Sequence, residues 1–122
     1  MSREPKTPGP DHPITVEKSG EHVVARLGEQ VVADSTTALI LREASYPPVY
    51  YIPLADVDQK VLTPSETHTY CPYKGEASYY SLTGADGPIA DAVWYYPTPY
   101  PAVAEIANHA AFYPDQVAIS AR

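Results

Sequence analysis

Between Cys71 and Tyr80 the chain reads Cys-Pro-Tyr-Lys-Gly-Glu-Ala-Ser-Tyr-Tyr. A thiol, a proline and a cation stand at a glycine turn, and an alternating aromatic run follows. Lys74 is the only internal cation of the C-terminal half. A hydrophobic core does not require an ammonium, so the stretch is expected to form the lip of a site. An ammonium beside aromatic faces can hold an anion while the rings take a planar group. Gly75 lets the backbone turn closely at that point. Cys71 could act as a nucleophile, but a small buried hydrophobe is its simpler role, and the chain has no second cysteine to resolve it.

Alternation supplies the rest of the expected site. Side chains two apart on a strand share a face, so Trp94 and Tyr96 point one way and Tyr95 the other. By the same rule Ala77 and Tyr79 share a face opposite Ser78 and Tyr80. Two such strands meeting across a fold form an aromatic wall, with Lys74 at its mouth. Lys74 is expected to contact an anion, and Trp94 and Tyr79 to stack on a planar group. Ordinary packing is the competing role for these rings, and a solvated turn for Lys74.

The elements that must position these residues are short. Fourteen prolines interrupt the chain too often for long helices. Strands are expected at residues 14–18, 22–27, 30–33, 38–42 and 49–52, with a polar turn over Asp34 to Thr37. Leu54 to Leu62 fits one or two helical turns. Further strands are expected at 67–73, 77–82, 92–96, 110–113 and 117–120, with a helical turn near Val103 to Ala107. The pattern is that of a mainly β, mostly antiparallel domain over 14–122. The proline-rich stretch 1–13 is expected to be a flexible tail.

Composition narrows the partners. The 122 residues suffice for one continuous core, and 44% of them are apolar. Eight Lys and Arg against 15 Asp and Glu give a net charge of −7. No basic stripe is present to displace counterions, so binding to a nucleic-acid backbone is not expected. With one cysteine and scattered His22, His68 and His109, the ligand set of a structural zinc is missing, and no cofactor is expected. No secretory leader or membrane-spanning run is apparent, which makes a cytoplasmic protein the default expectation.

The runs RLGEQVVADSTTALILRE, PVYYIPLADV, YCPYKGEASYYSL, AVWYYPTP and HAAFYPDQVAI occur in this order. Together they resemble the small bacterial DUF427 proteins (domain of unknown function 427) across roughly Ile14 to Ser120. The combination of C-P-x-K-G-x-A-x-Y with W-x-Y-x-x-P is the specific part. The resemblance implies a β-tent: two antiparallel sheets pinned at one end and splayed at the other. Many β-tents clamp the tip with zinc in paired C-x-x-C motifs. Here Cys71 stands alone, and Lys74 occupies the place of its partner. Arg26 and Tyr51 lie in segments that match the family's pattern, so both are implied to line the same cavity. Arg26 would be a second cation, unless it pairs with Asp56, and Tyr51 and Tyr96 would be hydroxyl donors.

Three functions follow as expectations. The first is a binding module for a small planar or anionic ligand, nucleotide-like, using Lys74, Trp94, Tyr79, Tyr51, Tyr96, Arg26 and Cys71. The second is an enzyme acting on nucleotides or phosphoesters, in line with the nucleotidyltransferase label sometimes given to the family. That chemistry needs a phosphate cradle or clustered carboxylates, and only Asp56 and Asp58 stand close in sequence. The third is a protein- or peptide-interaction module using the same pocket.

Overall fold

Prolines and glycines cut the chain into short extended runs, and antiparallel pairing takes up almost all of them. A computed structural model describes residues 4–122. Its strands are β1 (Ile14–Lys18), β2 (Val23–Leu27), β3 (Gln30–Ser35), β4 (Leu39–Glu43), β5 (Val49–Pro53), β6 (Leu62–Cys71), β7 (Gly75–Gly84), β8 (Gly87–Tyr95), β9 (His109–Phe112) and β10 (Ala118–Ala121). Among the described residues the only helical pieces are 3-10 turns at Leu54–Asp56, Gln59–Val61 and Pro101–Ile106. Among the described residues no helix is long and apolar enough to cross a membrane.

A seven-stranded sheet has the order β1-β4-β5-β9-β8-β7-β6, and a three-stranded sheet has the order β10-β2-β3. The expected mainly β architecture of two antiparallel sheets is the one found. Period-2 alternation divides the large sheet's side chains between two clusters. Tyr50, Ile52, Tyr80, Val93, Tyr95 and Phe112 pack toward the small sheet, against Val23, Ala25 and Val32. Val49, Tyr51, Tyr79, Trp94, Tyr96 and Ala111 face the other way, packed with Leu41, Val103 and Ile106. Both faces therefore carry apolar clusters over the central strands, while β6 at the edge remains largely exposed.

Several expected bounds change. The strand expected at 92–96 runs from Gly87 to Tyr95, which leaves Tyr96 just beyond its end. The strand expected at 67–73 begins earlier, at Leu62, despite Pro64, and Tyr73 belongs to the turn that follows it. β6 is the last strand of its sheet, and an edge strand tolerates a proline because no neighbour requires its missing N–H. Asp34 and Ser35 complete β3 instead of forming the turn, which is confined to the residues after them. Ser35 still shapes that turn, since its hydroxyl accepts from the Thr37 amide at 3.1 Å.

Candidate functional site

The outward face of the large sheet carries a row of aromatic residues set by strand register. Tyr79 on β7 pairs with Trp94 on β8, and Trp94 pairs with Ala111 on β9. Ala111 has only a methyl group, which lets the indole reach over β9 toward β5. Trp94 Nε1 donates to Tyr51 Oη at 3.2 Å, and the two rings stand perpendicular, 6.5 Å apart. Beyond Trp94, Tyr79 Oη lies 2.9 Å from Thr69 Oγ1.

These side chains enclose a cavity of about 310 Å³. Tyr51, Tyr79, Trp94 and Tyr96 form its aromatic walls, and Leu41 and Val49 add aliphatic surface. Tyr46, Pro47 and Tyr113 stand at the rim, with Tyr46 63% and Tyr113 37% exposed. Tyr113 leans on Trp94 with ring centroids 4.6 Å apart. Burial raises the Tyr51 and Tyr96 hydroxyls above the usual phenol range. Burial, with the neighbouring Tyr79, pushes Tyr113 up to about 12. All three therefore stay neutral near pH 7 and present hydroxyls, never phenolates.

The polar end of the cavity is built by the turn between β6 and β7. Lys74 N donates to the Cys71 carbonyl at 3.2 Å, and Tyr100 N donates to the Lys74 carbonyl at 3.0 Å. Gly75 follows with φ of +111°, and a Cβ there would stand 3.3 Å from the Thr98 carbonyl oxygen. Only glycine fits that combination of backbone angle and close approach. The turn aims the Lys74 ammonium at the end of β4, where it donates to Glu43. The side chains of Lys74 and Glu43 are 11% and 13% exposed.

Glu43 has a second partner. His12 Nε2 lies 2.7 Å from its other oxygen, and the imidazole stacks on Tyr73 at 4.1 Å. Burial by itself would raise the Glu43 carboxyl, but the hydrogen bonds and charges of Lys74 and His12 together hold it below its ordinary 4.5. The segment 1–13 is described from residue 4. Part of it lies on this turn, with Lys6 N donating to the Pro72 carbonyl at 2.8 Å. Residues 1–3 of the expected tail lie outside the described residues.

Of the residues singled out from the sequence, Lys74, Trp94, Tyr79, Tyr51 and Tyr96 meet in this one cavity. Arg26 does not. It lies on β2 of the small sheet, exposed, with Nη1 3.4 Å from Ser120 Oγ. Nor does it pair with Asp56, which accepts from Ser35 Oγ at 2.7 Å. A register shift in β2 between Ala25 and Arg26 accompanies the placement, and the family pattern alone could not show which sheet the strand joins. Cys71 is partly buried against the aromatic cluster and is not among the residues that line the cavity.

The lone acidic pair has structural partners. Besides the bond from Ser35 to Asp56, Asp58 accepts from the Lys60 amide at 3.0 Å and caps its 3-10 turn. His22 binds Asp34 at 2.6 Å, His68 approaches Ser78 at 3.2 Å, and His109 bonds the Ala107 carbonyl at 2.7 Å. Among the described residues no three His, Cys, Asp or Glu side chains converge as metal ligands.

Of the site residues that the sequence reading did not name, three bear most on the cavity's polarity and rim. Glu43 is two residues from Leu41 and Tyr113 two from Ala111, so alternation carried a signal for both. His12 carried none, because its position depends on how a proline-rich segment crosses the sheet. The family described as a domain of unknown function (DUF427) matches residues 15–122, and the chain belongs to that family. No curated protein matches the chain.

Proposed function

We propose that this DUF427 domain binds a small planar molecule in the aromatic cavity. The observation that carries this reading is the Lys74–Glu43 pair at the closed end of a space walled by Trp94, Tyr79, Tyr51 and Tyr96. A ring system entering there stacks on aromatic faces and meets a donor and an acceptor side by side. The volume of about 310 Å³ lies at the low end of the roughly 300–1,000 Å³ range of small-molecule sites. That suits a head the size of a nucleobase, with any larger substituent outside the mouth.

The pair also refines the ligand's charge. Lys74 is not an unopposed cation, because Glu43 balances it within the same cavity. A neutral planar group bearing both a donor and an acceptor complements the pair better than a bare anion does. A phosphate on such a ligand would sit at the rim, in water.

Trp94 is the only tryptophan, so its fluorescence reports from the wall itself. Titration with nucleobases, nucleosides and nucleotides should give a saturable change with the free base or nucleoside. Adding phosphates should improve it little, and Glu43→Gln should weaken it. A panel in which no planar ligand perturbs Trp94 overturns the reading.

A further inference from the structure

A second cavity, of about 440 Å³, adjoins the first. Pro48, Tyr50, Phe112, Pro114 and Ile119 line it, and no charged side chain is among its described lining. Tyr50 closes off its own polarity, since its hydroxyl donates to Glu21 at 2.8 Å. Tyr46, Pro47, Val49 and Trp94 belong to both cavities, so the two share a wall and an edge.

Strand pairing explains why they meet. β5 and β9 pair only at Ile52–Ala110 and Pro53–His109. Toward Val49 on one strand and Phe112 on the other the ladder is open. Residues of opposite sheet faces, Val49 and Trp94 from one and Tyr50 and Phe112 from the other, therefore border a common space. A sheet with every rung made would separate them.

We infer that the ligand is amphipathic, with its planar polar head against Lys74 and Glu43 and an apolar tail running past Trp94 into the Pro48–Phe112–Pro114 groove. This rests on the binding role proposed above and adds the class of ligand. The groove alone names no occupant. Its continuity with a polar, aromatic-walled cavity does, because one molecule spanning both satisfies the ion pair and covers the exposed apolar edge at Tyr46. A free hydrocarbon would leave Lys74 and Glu43 unused, and a fully polar ligand would leave the groove wet.

The test is a chain-length series of 4-alkoxybenzamides, methyl to octyl, titrated against Trp94 fluorescence below their aggregation limits. The amide carbonyl can accept from Lys74, its NH2 can donate to Glu43, and the alkyl chain leaves from the opposite end of the ring. Affinity should rise by up to about fourfold per methylene and level off when the groove is full. Pro48→Asp and Pro114→Asp, at exposed groove positions, should each flatten the series toward the methyl member's affinity, and Glu43→Gln should weaken every member by a similar factor. Saturable binding that ignores chain length overturns this inference and leaves the head site standing. A rising series that ignores Glu43→Gln overturns it too, since the tail then binds without the head. No binding by any member overturns this inference, and overturns the binding role as well when the nucleobase panel is also silent.

Discussion

Lys74 on the β6–β7 turn and Glu43 at the end of β4 are 31 residues apart in sequence and form a nearly buried ion pair in the aromatic cavity. β4 and the β6–β7 turn belong to strands separated by β5, β9 and β8 in the sheet, so the pair links distant parts of one layer across its face. His12 adds a third member from outside the sheet.

Removing one charge should cost more than removing both. Lys74→Ala leaves Glu43 in its apolar surroundings with His12 alone. A loss of about 3 kcal/mol is expected, at the low end of the range for broken buried pairs because each side chain keeps some exposure. Lys74→Met combined with Glu43→Leu should stay close to wild type. Denaturant midpoints of Lys74→Ala and the double variant measure this, and equal losses in both would contradict it.

Acid should weaken the fold through Glu43. Its folded value lies below the ordinary 4.5, so its contribution is present above about pH 4.5 and is lost as pH falls through the folded value. Wild type should exceed Glu43→Gln in stability by a constant margin at neutral pH. That margin should shrink below about pH 4.5. A margin unchanged down to about pH 3 would show that the carboxylate is not the titrating group.

The indole of Trp94 should lose its anchor in Tyr51→Phe. The bond from Nε1 to Oη is its tie to β5. A stability loss of about 1 kcal/mol is expected, with an altered Trp94 emission spectrum. An unchanged spectrum would mean that the bond does not hold the indole in solution.

Crowding the strand beneath Trp94 should separate binding from folding. Ala111 is fully buried and pairs with Trp94 across β8 and β9. Ala111→Leu should cost about 1–3 kcal/mol through overpacking and should push the indole into the cavity, weakening the binding of planar ligands. If that variant folds and still binds with wild-type affinity, the ligand lies elsewhere.

The backbone at Gly75 should tolerate no side chain. Its φ of +111° and the 3.3 Å approach to Thr98 oppose any Cβ. Gly75→Ala should lose about 1–3 kcal/mol, and its distorted turn should shift Lys74 away from Glu43. Comparison with Gly87→Ala, where φ is +108° and a Cβ meets nothing within 4 Å, separates strain in φ from collision.

The sequence by itself determined which side chains share a face. Alternation is local, fixed by the backbone geometry of an extended strand, so Trp94 and Tyr96 could be assigned to one face, and Tyr79 to the face opposite Tyr80, without knowing the sheet order. The register of β7 on β8 then set Tyr79 beside Trp94. The same locality made most of the strands and the 3-10 turns legible, because prolines and glycines mark their ends. Tertiary structure alone decided what each charge meets. Lys74 reads as a free cation in sequence, and the strand order supplies Glu43 to neutralise it. Arg26 reads as its companion, and its strand joins the other sheet. Ion pairing depends on which distant strands become neighbours, and a periodicity of two residues carries no information about that order.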